Sequence, residues 1–283
     1  RKDYLNVTHV KVGGATVWRK NAEADHDSIA GRGYNFFDLL EFAQTVSVEE
    51  LDFISSGIDM NKKFVEVGRR QPEGLRIGDV LMRQIDGKET LADLGLKIKS
   101  AVCAGVDARM GGLSLPVMAS AGSGNLGIAA TVPLAVVCDH LALGEERLLR
   151  ATALANLFHI YVKERTGRLT AICGGVLVGM GVSAAIAWLL GGSREQIAGA
   201  VKNMAANMTG TICDGANYGC SFKVGAAAAE AYYSAVCALN GSIAASGTGI
   251  VSDDVDETIR NVIRLVTRMS ALDPIILDMM NGQ

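Results

Sequence analysis

Leu169-Thr-Ala-Ile-Cys-Gly-Gly-Val-Leu-Val-Gly-Met-Gly-Val-Ser-Ala-Ala-Ile-Ala-Trp-Leu-Leu-Gly-Gly-Ser193 carries no charge between Arg168 and Arg194. How this run is read decides the fold. It is long enough to cross a bilayer. Its glycines, Gly174, Gly175, Gly179 and Gly181, suit close helix packing in water or lipid alike. The surrounding sequence separates the two readings, because Gly144 to Arg150 and Val251 to Arg268 are richly charged and amphipathic, as surface helices wrapped around a buried one are. The run is therefore expected to be a central core helix, with a membrane span as its rival. A second uncharged run, Met110 to Cys138, holds Pro116, Ser120, Gly122, Ser123, Gly124, Asn125 and Pro133, which is loop chemistry.

Outward from that helix, the pattern predicts further helices over 126–143, 145–165, 170–190, 194–208, 222–240 and 254–269. Glycine-rich breaks fall at Gly111-Gly112, Gly122-Ser-Gly124, Gly191-Gly192, Gly215 to Gly219 and Gly247-Thr-Gly249. Before residue 100 the character differs. Val7-Thr-His-Val-Lys-Val12 and Ala15-Thr-Val-Trp-Arg19 alternate around Gly13-Gly14 and read as a hairpin. Helical patterns follow over 38–67, with Ser47 as an N-cap before Glu49 and Glu50, and over 91–108. The expected fold is α+β: the remainder of a smaller mixed α/β domain over 1–99, then a mainly α-helical bundle over 100–283 whose loops carry the polar chemistry.

The 283 residues suffice for a large core, and a net charge of −3 points neither to nucleic acid nor to an anionic membrane surface. Aromatics are only 5% beside 33 glycines, so packing through small side chains is expected. Six cysteines, in a long aliphatic chain with no recognisable signal peptide, read as reduced and cytoplasmic. The chain opens on Arg1 and not on Met, and is expected to be a fragment.

Cys103, Cys138 and Cys237 sit in apolar helical surroundings and are expected to pack in the core as small hydrophobes. Cys213-Asp-Gly-Ala-Asn-Tyr-Gly-Cys220 is different, because two thiols bracket a polar, glycine-rich turn and a third, Cys173, lies forty positions earlier. Three thiolates without an obvious fourth can hold an iron–sulfur cluster with one iron open. The local spacing also allows a simple turn, whereas structural zinc prefers a shorter grip and a fourth ligand.

Four stretches carry a resemblance: Ser100-Ala-Val-Cys-Ala-Gly-Val-Asp-Ala-Arg-Met-Gly-Gly112, Ser120-Ala-Gly-Ser-Gly-Asn-Leu-Gly-Ile-Ala-Ala-Thr131, Arg168-Leu-Thr-Ala-Ile-Cys-Gly174, and Ile212-Cys-Asp-Gly-Ala-Asn-Tyr-Gly-Cys220. In this order they resemble L-cysteine desulfidase, within the iron–sulfur L-serine dehydratase alpha-chain superfamily. The resemblance covers residue 100 to the C-terminus and is loose before it. It implies a [4Fe-4S] cluster on Cys173, Cys213 and Cys220, no pyridoxal cofactor, a small amino-acid substrate (L-cysteine or L-serine) and a homodimer. That family opens with a glycine-and-cysteine motif whose thiol serves as base. Residues 1–99 hold no match to it, so the catalytic base is unassigned.

The loop from Ser120 through Ser123, Gly124 and Asn125 precedes a helix, and its amides are expected to bind the substrate carboxylate; an ordinary Asn or Ser N-cap is the competing reading. Arg109, Arg168 and Lys223 flank the shared motifs as candidate anion partners, or as structural cations. His9, His26, His140 and His159 lack ligand spacing, and His159 reads as a satisfied interior histidine. Asp253-Asp254-Val-Asp256-Glu257 reads as the acidic first turn of a helix. The expected function is an iron–sulfur-dependent lyase that breaks L-cysteine down to sulfide, ammonia and pyruvate. L-serine dehydratase, a non-catalytic cluster-binding subunit and a membrane transporter are the alternatives.

Overall fold

The computed structural model describes residues 9–19, 32–70, 77–82, 91–247 and 249–282. The hairpin is present as β1 (His9–Val12) and β2 (Ala15–Arg19), antiparallel, with Val12 opposite Ala15. Gly13 and Gly14, with φ of 57° and 85°, supply the left-handed pair that a two-residue turn of this twist requires. Val7, Thr8 and His26 lie outside the described residues.

The rest is helical: α1 (Phe36–Thr45), α2 (Val48–Leu51), α3 (Phe53–Gly68), α4 (Ile77–Met82), α5 (Leu91–Met110), α6 (Gly124–His140), α7 (Glu145–Thr166), α8 (Gly174–Leu189), α9 (Arg194–Met208), α10 (Cys220–Leu239), α11 (Val255–Met269) and α12 (Asp273–Asn281). The fold is thus a mainly helical α+β arrangement with a small two-stranded sheet. α4 and α12 were not foreseen; α4 is a six-residue piece, and α12, which carries a proline in its first turn, has no buried residue and so no core-facing stripe to read.

α8 is the central helix. It packs against α6, α7, α9 and α10, and α5 joins α10 and α6 on one side while α11 lies against α9 and α7. Its small residues explain this position. A Cβ at Gly181 would meet the Ala155 carbonyl oxygen and the Phe158 side chain of α7 at 2.9 Å, and one at Gly175 would meet the Val224 Cα of α10 at 3.3 Å. Two glycines therefore let two neighbouring helices approach to near backbone contact. Arg147 of α7 closes the other end, donating to the Trp188 and Leu189 carbonyls at 3.2 Å and stacking 4.0 Å over the Trp188 ring. A cation at a helix C-terminus is favourably placed.

With 16 residues, α8 is about 24 Å long at about 1.5 Å per residue, short of the roughly 30 Å hydrocarbon core of a bilayer. No helix among the described residues is long and apolar enough to cross a membrane. One hydrophobic core extends from Phe36 to Val266. The division expected at residue 100 falls inside α5.

Candidate active site

α8 begins at Gly174 and not near Thr170 as the pattern suggested, because Ala171 to Cys173 are extended and pair with the segment before the cysteine turn. Ile172 and Ile212 form an isolated antiparallel bridge. The Cys173 amide donates to the Thr211 carbonyl at 2.8 Å, and the Cys213 amide to the Ala171 carbonyl at 2.8 Å. Two cysteines separated by forty positions are thereby stitched side by side. The third opens α10, whose Val224 packs on Gly175 at the start of α8. Inside the turn, Gly215 takes φ 94°, the Asn217 side chain accepts from the Gly219 amide at 2.7 Å, and Lys223 pairs with Asp214. Ser221, next to Cys220, donates to the buried Asp107 carboxylate of α5 at 2.7 Å, which fixes the first turn of α10.

All six cysteines are free thiols. Cys173 is buried, and burial is the main cause that pushes its thiol up to about 11; nearby Cys213 and Cys220 add to this, while the Gly175 amide and Lys223 oppose it. The three sulfurs thus share one electrostatic environment. Beside them lies Lys163 of α7, buried, donating to the Arg168 carbonyl at 3.0 Å and the Thr170 hydroxyl at 3.1 Å. Burial lowers its pKa to about 8, against the pull of Cys213 and Cys173. A buried ammonium whose hydrogen bonds go to neutral oxygens is stabilised by anionic sulfur nearby.

Among the described residues, no three His, Cys, Asp or Glu side chains converge tightly enough to hold a single metal ion. The donor set is three thiols without an imidazole or carboxylate, which is the chemistry of iron–sulfur centres, whose irons are spread over a cluster. Segments tied together by backbone hydrogen bonds, with a buried cation beside them, fit such a group.

The second half of the site is the start of α6. Ala121 and Gly122, with φ of 46° and 87°, make a tight turn closed by reciprocal backbone hydrogen bonds between Ser120 and Ser123 at 3.1 and 3.0 Å. Ser123 is the N-cap but makes no side-chain capping bond, so the ordinary-cap reading is corrected. Asn125 does not cap either; its carbonyl oxygen accepts from Arg109 Nη1 at 3.1 Å. The amides of Gly124, Asn125 and Leu126 precede the first intrahelical bond, from Gly127 to Ser123, and point out of the helix end as donors. Leu126 touches Gly174, so the starts of α6 and α8 adjoin.

Arg109 and Asn125 thus join Ser120, Ser123 and Gly124, and the three cysteines form a neighbouring group. Lys223 is bound to Asp214 and serves the turn. Arg168 offers its backbone to Lys163, with an exposed side chain. Cys103 and Cys138 are buried as expected, but Cys237 is exposed. It shares the outer face of α10 with Tyr233 and Asn240, because apolar neighbours in sequence point elsewhere at 3.6 residues per turn. His159 is buried but only half satisfied: Nδ1 meets the Ser120 hydroxyl at 2.8 Å, and Nε2 has no partner. Lys163 was missed altogether. The signal available was its place four residues after His159, on the same face of α7. The acidic run at 253–257 is the expected helix start, with Asp254 accepting from the Asp256 amide at 2.9 Å.

Fold and candidate site together define a class: a mainly helical bundle in which the starts of α6, α8 and α10 lie near one another and carry thiols and helix-end amides. The serine dehydratase alpha chain family profile matches residues 14–278, and the chain belongs to that family. It is 41% identical over 245 residues to a UPF0597 protein of Caldanaerobacter subterraneus subsp. tengcongensis, covering 86% of this chain and 56% of that protein. It is 37% identical over 263 residues to a UPF0597 protein of Clostridium botulinum, covering 92% and 61%. A UPF0597 protein of Bacteroides fragilis is 40% identical over 243 residues, covering 86% and 57%. The chain therefore spans 56–61% of the length of these relatives. No solved structure matches it significantly.

Proposed function

We propose that this chain carries the cluster- and substrate-binding part of a PLP-independent lyase that expels the β-substituent of a small L-amino acid. L-Cysteine is the proposed substrate, giving sulfide, ammonia and pyruvate, and L-serine is the alternative. Membership of the serine dehydratase alpha chain family supports a lyase role. The observation that carries the reading is the pairing of 171–173 with 211–213, which sets Cys173 beside Cys213, together with the packing of α10, opened by Cys220, on the start of α8.

A [4Fe-4S] cluster held by these three cysteines would supply an open iron as a Lewis acid. The chain's own groups do the rest of the binding. The amides of Gly124 to Leu126 and the Arg109 guanidinium receive the substrate carboxylate, which the positive end of α6 also favours. Lys163 balances the negative sulfurs. Lys223, through Asp214, holds the cysteine turn in shape. Cys103 is no candidate base: it is buried, its thiol is pushed up to about 12, and it donates to the Ser221 carbonyl at 3.2 Å.

Anaerobic reconstitution with iron and sulfide, followed by assay of pyruvate with L-cysteine and with L-serine, tests the reading. The expected result is a visible cluster chromophore and turnover of one of the two, both lost in Cys213→Ser. A chromophore without turnover would support the non-catalytic cluster-binding reading instead. Chromophore and activity both unchanged in Cys213→Ser would refute the assignment.

A further inference from the structure

His159 is wholly buried on α7, yet its hydrogen bonding is incomplete. Its Nδ1 lies 2.8 Å from the Ser120 hydroxyl and its Nε2 has no partner. Burial, reinforced by the Lys163 ammonium one turn along α7, pushes the imidazole down to about 3, so the ring is neutral. A neutral imidazole has one donor and one acceptor, and a leucine would fill the same interior space with no polar atom left over. An orphaned ring nitrogen at full burial calls for a reason beyond packing.

The one partner that His159 does have, through Nδ1, is a residue of the α6 turn. Ser120 is itself buried, and among the described residues its hydroxyl has His159 as its hydrogen-bond partner. Its backbone is clamped to Ser123 across the strained Ala121-Gly122 turn, directly before the free amides of α6. One serine is thus fixed twice, main chain by Ser123 and side chain by His159, at the mouth of a helix N-terminus. We propose that His159 is a positioning residue that turns the Ser120 hydroxyl toward the carboxylate of a small amino acid bound at the start of α6.

The proposed role requires one tautomer. With the proton on Nδ1, the ring donates to the Ser120 oxygen, and the hydroxyl hydrogen is released from the ring and aimed at the ligand. Ser120 then adds a donor to a set made entirely of donors, the Gly124 to Leu126 amides and Arg109. The opposite tautomer would consume the hydroxyl hydrogen within the pair and present lone pairs to an anion.

This inference rests on the proposed carboxylate site, and its test does not need turnover. L-Alanine has no β-leaving group, so calorimetric titration of the reconstituted protein reads binding alone. Ser120→Ala and His159→Leu are each expected to weaken L-alanine binding about tenfold, and the double variant no further, since the two act as one unit. His159→Asn, whose amide reaches the Nδ1 position, is expected to restore affinity to within about threefold of the parent. Melting temperatures report folding separately, and Ser120→Ala, a small change, serves if His159→Leu does not fold. Unchanged affinity in the folded variants, additive losses in the double variant, or no L-alanine binding by the parent would overturn the proposal. If the parent shows the predicted binding pattern but no lyase activity, the function fails and the positioning role stands; the reverse outcome removes the positioning role alone.

Discussion

His159 shows what a single residue does to the behaviour of the protein. Its folded pKa is about 3, against an ordinary value near 6.5, because burial disfavours the charged ring. Between these values the unfolded chain binds a proton that the folded chain refuses, so stability falls as pH drops through that window and is fully present above it. We expect the urea midpoint to fall between pH 7.5 and pH 5, and to fall less in His159→Asn; an equal fall in both would remove His159 as the cause. At this scale the sequence singled out Cys173, Cys213 and Cys220 as candidates, since a thiol pair around a polar turn is unusual in itself. It concealed Lys163 and the open valence of His159. Nothing in Leu157-Phe-His-Ile-Tyr161 tells that one ring nitrogen ends unpaired, and a lysine in a charged stretch reads as exposed until the fold buries it.

At the scale of elements, the helix periods were largely visible and the helix starts were not. α9 spans Arg194–Met208 as the pattern predicted, helped by the Ser193 and Gln196 capping box. α8 starts four residues later than predicted, because the bridge between Ile172 and Ile212 claims the preceding backbone. That pairing joins distant parts of the chain, and no local propensity encodes it. Pro133 lies inside α6, where it removes a hydrogen bond to the preceding turn, so a residue read as loop punctuation is carried by a fully packed helix. The glycines of α8 fit the central position inferred from its charged flanks. Gly181→Val would drive a side chain into Ala155 and Phe158, and we expect a loss of about 1–3 kcal/mol by denaturant unfolding. A loss below a few tenths would show that α7 and α8 are looser than described.

For the whole molecule, the uncharged run from 169 to 193 resolves into a short extended segment and the 16-residue α8, enclosed by charged outer helices. Composition foresaw this enclosure, because the acidic and basic residues are placed where α7 and α11 face outward. It did not foresee how the core of the bundle continues into α1 and α3, since Phe36 and Phe64 bury against partners far away in sequence. The same enclosure creates the candidate site: α6, α8 and α10 begin near one another, so their starts bring together amides and thiols that lie far apart in sequence, from Gly124 to Cys220. Cys173, Cys213 and Cys220 are proposed to hold one iron–sulfur cluster jointly. Iron and acid-labile sulfide analysis after anaerobic reconstitution and desalting tests it most directly. The account predicts about four irons and four sulfides per chain, lost when any one of the three is changed to serine and kept in Cys138→Ser. Equal iron content in Cys173→Ser, Cys213→Ser, Cys220→Ser and the parent would contradict it.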